Sequence, residues 1–208
     1  MKWIRLQNKC NLLKNNSTVK VNGGTFMKAV FEKLYDRYHH DLYRFIFYMV
    51  KDQHLTEDLV QDVYIRVLQS YESFEGKSSE KTWLFSIARF ATIDYFRSQK
   101  RKRHKVLGFF DWGQKGENIS DEQPLPDDVV IQDETLRQVY KSLDHCTVDQ
   151  KSVIILRFIQ SFSIKETADI LNFSVSKVKT TQHRALKTMK KHLEHDGQKE
   201  ARKNETQK

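Results

Sequence analysis

The sequence predicts an all-α protein made of two small helical domains joined by a flexible acidic linker, on three observations. The 208 residues include only 7 Gly and 2 Pro, too few for the turn-punctuated chain of a sheet protein. Apolar residues recur at three- and four-residue steps along most of the chain, which is the period of one buried helix face. Between residues 106 and 132 that period stops, and Gly108, Gly113, Gly116, Pro124 and Pro126 stand among Glu117, Asp121, Glu122, Asp127 and Asp128. A stretch of that kind in a compact chain makes sense as a tether between two units.

Residues 1–26 carry no sustained helical period and end in the turn-prone Asn22-Gly23-Gly24, so 1–26 is expected to be a disordered extension. Translation itself is expected to start at Met27. Adjacent glycines at 23 and 24 are encoded by GGN-GGN, which can contain the ribosome-binding run GGAGG just upstream of that codon. The competing reading is a genuine basic arm carrying Lys2, Arg5, Lys9, Lys14 and Lys20, and N-terminal sequencing of the native protein separates the two.

The first domain is expected over 27–105. Phe31, Leu34, Tyr35, Tyr38, Leu42, Phe45, Ile46 and Met49 mark the inner face of a long first helix. Thr56, ahead of Glu57 and Asp58, is the expected N-cap of a second, which runs through Leu59, Val60, Val63, Tyr64 and Val67. After the polar stretch from Ser73 to Glu80, Thr82 is expected to cap a third helix with Leu84, Ile87, Ala88, Ala91 and Tyr95 inward. It ends in the run Arg97-Ser98-Gln99-Lys100-Arg101-Lys102-Arg103-His104-Lys105, where cations suit a helix C-terminus.

The second domain is expected over 133–195. Leu136, Val139, Tyr140 and Leu143 make one helix, and Thr147-Val148-Asp149-Gln150 has the form of a capping box ahead of the apolar run Val153–Ile159. Ser163-Ile164-Lys165-Glu166 forms a second box and opens a short helix to about Leu171. After Asn172-Phe173-Ser174 a last helix starts at Val175, with Val178, Ala185, Leu186 and Met189 inward, and the polar tail 196–208 is expected to be disordered.

Composition narrows the function. Lys and Arg number 36 against 27 Asp and Glu, a net charge of +9, and the clustered excess favours a polyanionic partner, either nucleic acid or an anionic membrane surface. Cys10 and Cys146 have no metal-ligand companions, no window reaches the apolar length of a membrane span, and Met1–Met27 lacks a signal-peptide centre. The expectation is a cytoplasmic protein. No paired carboxylate/His motif or phosphate-cradling Gly loop is present, and His39-His40 reads as surface, so no catalytic residue, metal, cofactor or small-molecule substrate is expected.

Two short helices around a three-residue turn, the second carrying Lys177, Lys179, Thr180, Thr181, Gln182, His183, Arg184 and Lys187, meet the requirements of a helix-turn-helix. Ala168 is small enough for the helices to approach, Asn172 tolerates the left-handed turn, and Val178 supplies the contact back to the first helix. An ordinary helical hairpin with a charged outer face is the competing reading.

The strings Glu57-Asp58-Leu59-Val60-Gln61-Asp62-Val63-Tyr64-Ile65-Arg66, Trp83-Leu84-Phe85-Ser86-Ile87-Ala88-Arg89 and Ile93-Asp94-Tyr95-Phe96-Arg97 resemble region 2 of extracytoplasmic-function σ factors, the ECF subfamily of the sigma-70 family. Leu156-Arg157, Ser163–Leu171, Val175–Thr180 and His183-Arg184-Ala185 resemble that family's region 4. The resemblance implies an alternative sigma factor that binds RNA polymerase core and directs promoter-specific initiation under extracytoplasmic stress. Its implied partners are the clamp and flap of the core enzyme, promoter DNA and a membrane-anchored anti-sigma factor.

Carried over by position, Asp58, Leu59, Gln61, Asp62, Ile65 and Arg66 are the implied polymerase-binding residues, and Phe74, Lys77, Arg89, Arg97 and Arg101 the −10 contacts. A flipped base needs an aromatic or polar holder and its strand needs cations, which those residue types supply. Lys177, Lys179, Thr180, Thr181, Gln182, His183, Arg184 and Lys187 are the implied −35 contacts. Trp83 reads as core rather than DNA contact. Thr181 and Gln182 depart from the family's usual basic and apolar pair, Asn172 replaces a Gly and Phe90 an Asn, which leaves the promoter sequence open. A helix-turn-helix regulator that ignores core polymerase explains 133–193 but leaves the Glu57–Arg66 helix without a task.

Overall fold

The computed structural model describes residues 24–107 and 134–206, with side-chain burial for 29–101 and 137–195. The chain divides into two compact units, Met1–Gln123 and Pro124–Lys208. The expected extension up to residue 23 and the expected linker over 108–132 lie outside the described residues.

In the first unit α1 (Gly24–Val50), α2 (Gln53–Ser70) and α3 (Glu80–Leu107) pack on one another in all three pairings. α1 starts three residues ahead of Met27, and α3 runs two residues past the expected domain end. Leu34, Leu42, Phe45 and Ile46 of α1 meet Val63 and Val67 of α2 and Leu84, Phe85 and Ala88 of α3 in a fully buried core. Each large apolar side chain removed from water there contributes about 1.5–3 kcal/mol.

Two expected caps move. Asp52, not Thr56, caps α2, its carboxylate accepting from the Leu55 N–H at 2.7 Å. Asp is the stronger cap, and nothing between Gln53 and Leu55 stops the helix from starting a turn early. Thr56 is buried and its hydroxyl donates to the Asp52 carbonyl at 2.6 Å. Likewise Ser79 begins α3, its Oγ accepting from the Thr82 N–H at 3.0 Å, while Thr82 is buried.

In the second unit α4 (Glu134–Ser142), α5 (Val148–Ile154) and α6 (Ile164–Leu171) all pack on the long α7 (Val175–Thr206). A 3₁₀ turn, Leu143–His145, follows α4, and a π turn, Ile155–Ile159, extends α5. Both capping boxes form, Thr147 with Gln150 and Ser163 with Glu166. Val178, Ala185 and Met189 make the inner stripe of α7, whereas Leu186, expected inward, is 43% exposed. One residue beyond Ala185 lies about 100° round the helix, which turns Leu186 off the packed stripe. Over the expected disordered tail, α7 is continuous through 196–206. That segment has no proline, and its Lys, Glu, Gln, Arg and Ala are strong helix formers that outweigh the single Gly197.

Candidate functional site

On α2, Asp58, Asp62 and Arg66 follow at four-residue steps and share one outward stripe, with Gln61 beside it. Asp58 is exposed and the other three are partly exposed. Arg66 donates from Nε to Asp62 at 2.8 Å, lies 3.7 Å from Asp94 of α3, and places its guanidinium carbon 5.6 Å from the centre of the Phe90 ring. Leu59 and Ile65, implied as polymerase contacts, are only 8% and 3% exposed. They flank the stripe on its two edges, where they pack against the rest of the unit, so little of either side chain reaches the outer surface. Asp94 and Phe90, the latter 51% exposed, join the surface instead. Their pairing with Arg66 crosses between two helices, and spacing within either helix carries no signal for it.

The second group surrounds the start of α3. Phe74 is half-buried with its ring 4.8 Å from Trp83 and 6.2 Å from Tyr71, and Tyr71 meets Trp83 edge-on at 5.9 Å. Trp83 itself is half-buried, packed against these two rings. Glu80 accepts from Lys33 at 2.8 Å and from the Tyr71 hydroxyl at 3.4 Å, which ties this aromatic cluster to α1 and raises the Lys33 pKa through that hydrogen bond and charge. Gly76 takes a positive φ of 69° at the turn, next to the exposed Lys77, which pairs with Glu75. Arg97 and Arg101 are exposed one turn apart on α3. Arg89 is half-buried, and its eight-residue offset from Arg97 sets it about 80° away round the helix.

The third group is the helix-turn-helix. Asn172 adopts the left-handed conformation at φ 52° and ψ 48°, the Phe173 N–H closes on the Ala168 carbonyl at 2.9 Å, and Ala168 and Val178 are buried where α6 meets α7. Ser174 then caps α7, accepting at Oγ from the Lys177 N–H at 3.1 Å. Lys177, Lys179, Thr180, His183, Arg184 and Lys187 are all exposed. Thr181 and Gln182 are not: both are half-buried, and Gln182 lies between Val178 and Ala185 on the inner stripe, its Oε1 accepting from Arg157 Nε at 3.3 Å. That bond engages the Gln182 amide oxygen within the fold.

Among the described residues no group of three or more His, Cys, Asp or Glu could hold a metal ion, and no helix is long and apolar enough to cross a membrane. Cys146 is a free, half-buried thiol whose pKa burial pushes up.

The described residues thus carry a polar stripe on α2, exposed arginines on α3 and a basic outer face on a helix-turn-helix. Sigma-70 region 2 matches residues 34–102, and Sigma-70, region 4 matches residues 136–189. The chain is 60% identical over 168 residues to the ECF RNA polymerase sigma factor SigX of Bacillus subtilis strain 168, covering 81% of this chain and 86% of that one. It is 33% identical over 162 residues to the RNA polymerase sigma factor YlaC of the same organism, covering 78% and 91%. Among solved structures it is similar to the sigma factor RpoE in complex with the anti-sigma factor NepR from Bartonella quintana, at a TM-score of 0.62 and 28% identity over 79% of this chain and 96% of that one. The chain belongs to the extracytoplasmic-function RNA polymerase sigma factors of the sigma-70 family, which are transcription initiation factors and not enzymes.

Proposed function

We propose that this sigma factor binds RNA polymerase core through the outer stripe of α2 and reads promoter DNA through α3 and α7. The observation that carries the reading is the presence, on separate units of one chain, of a mixed-charge stripe and a basic, acid-free recognition face. Asp58, Gln61, Asp62 and Arg66 offer acids, an amide and a guanidinium to the clamp of the largest polymerase subunit, with the packed Leu59 and Ile65 at the edges of the stripe. The unit over 27–105 takes the −10 element, where Phe74, Lys77, Arg97 and Arg101 face the opened strand and Arg89 flanks them. The unit over 133–195 takes the −35 element through Lys177, Lys179, Thr180, His183, Arg184 and Lys187, and lies against the polymerase flap.

The similarity to a sigma factor solved with its anti-sigma factor supports a corresponding anti-sigma partner for this chain. We further propose, from the family resemblance alone, that this partner is anchored in the membrane and releases the chain under envelope stress. The protein then works in the cytoplasm and is held at the membrane when restrained. Run-off transcription with purified core polymerase on genomic fragments tests the reading. Transcripts starting at defined sites only when this chain is added support it, whereas fragments bound by the chain but never transcribed would refute it.

A further inference from the structure

We propose that Lys177 is a DNA-phosphate contact whose strength is set by two opposing positioning residues: Phe173, which holds its ammonium, and Asp149, which competes with the phosphate for it. The proposal rests on the reading of α7 as the DNA-binding helix and deepens it.

Lys177 stands in the first turn of α7, where helix N-terminal residues approach a duplex. Its side chain folds back so that Nζ lies 3.4 Å from the centre of the Phe173 ring, within the range of a close cation–π contact. The same nitrogen lies 3.9 Å from the Asp149 carboxylate in the first turn of α5. The Phe173 main chain is held by its N–H bond to the Ala168 carbonyl, and its half-buried ring carries the contact. Lys177 and Asp149 keep side-chain exposures of 51% and 48%, so the ammonium stays open to an incoming polyanion.

The two contacts act on DNA binding in opposite senses. A free lysine loses rotamer freedom when it settles on a phosphate, and the Phe173 ring has already restricted that freedom in the unbound protein. Asp149 puts a negative charge beside the position a phosphate must take and gives up its own cation when the phosphate arrives. Between half-exposed groups in water this interaction is weak, so DNA displaces it, but the binding that remains is looser than the recognition helix alone would give.

The test is equilibrium binding of the full chain with core polymerase to a promoter fragment that this holoenzyme transcribes, at several salt concentrations. Asp149→Asn, which leaves the Thr147–Gln150 box in place, is expected to tighten binding by about threefold to fivefold at low salt, the size of one exposed ion pair. The gain should shrink as salt screens the carboxylate. Phe173→Leu, which keeps apolar bulk and removes the ring face, is expected to weaken binding by about twofold to fivefold.

Both effects should vanish in a Lys177→Ala background, an outcome that a merely structural role for either residue does not produce. Unchanged or weaker binding by Asp149→Asn, or an effect that survives Lys177→Ala, overturns the proposal. Lys177→Ala without effect while Lys179→Ala or Arg184→Ala weakens binding also overturns it and leaves α7 as the DNA-binding helix. No effect from any of those three cations removes that reading itself, and the proposal with it.

Discussion

Arg157 reaches from the π turn across to α7 and donates its Nε–H to Gln182 Oε1 at 3.3 Å, while the same guanidinium donates to the Phe162 carbonyl. One arginine therefore links α7 to the chain that leads into α6. Gln182→Ala should cost about 1.5–3 kcal/mol of stability, the range for a hydrogen bond to a charged group, and change promoter affinity less than twofold. A thermal melt beside a DNA titration checks this, and a large affinity loss at unchanged stability would return Gln182 to the recognition face.

Lys179 and Arg184 point outward from the same helix. Replacing either by Ala should weaken −35 binding by about 1–3 kcal/mol where the side chain meets a base, or flatten the salt slope by about one unit where it meets a phosphate. Unchanged affinity and slope in both variants would remove the recognition-helix assignment.

Charge reversal of the stripe on α2 tests the other unit. Asp62→Arg combined with Arg66→Asp keeps an opposite pair between the two positions but brings a carboxylate towards Asp94, which now lies 3.7 Å from Arg66. Because these side chains are 35–41% exposed, the stability cost should stay within about 1 kcal/mol, with helicity by circular dichroism intact. Binding to core polymerase should be lost. Retained binding would place the docking surface elsewhere.

Ile65 separates packing from docking. Ile65→Ala removes a side chain that is 3% exposed and should lower stability by about 2–5 kcal/mol, read as a fall in melting temperature. An unchanged melting temperature together with weakened core binding would show that this side chain reaches the polymerase.

What the sequence made legible was local. The Thr147–Gln150 and Ser163–Glu166 boxes and the left-handed Asn172 follow from rules that span three or four residues, and all three form as the residues predict. Thr56 and Thr82 misled because a stronger cap, Asp52 or Ser79, stands within a turn upstream of each. The Gln182–Arg157 bond was not legible because the two residues are 25 positions apart, and only packing brings them together. The family resemblance named Leu59 and Ile65 as docking residues, and the packing of α2, which the resemblance does not carry, covers both side chains. The tail after residue 195 looked unstructured because it lacks apolar residues, yet its helix formers continue α7 without them.

The central claim is that one chain carries a polymerase-docking unit and a promoter-reading unit. Titration of the full chain into purified core polymerase, followed by fluorescence anisotropy or co-elution, tests it most directly. A saturable one-to-one complex that the Asp62/Arg66 reversal abolishes is the predicted result. A chain that binds duplex DNA through α7 yet shows no association with core polymerase would contradict the account.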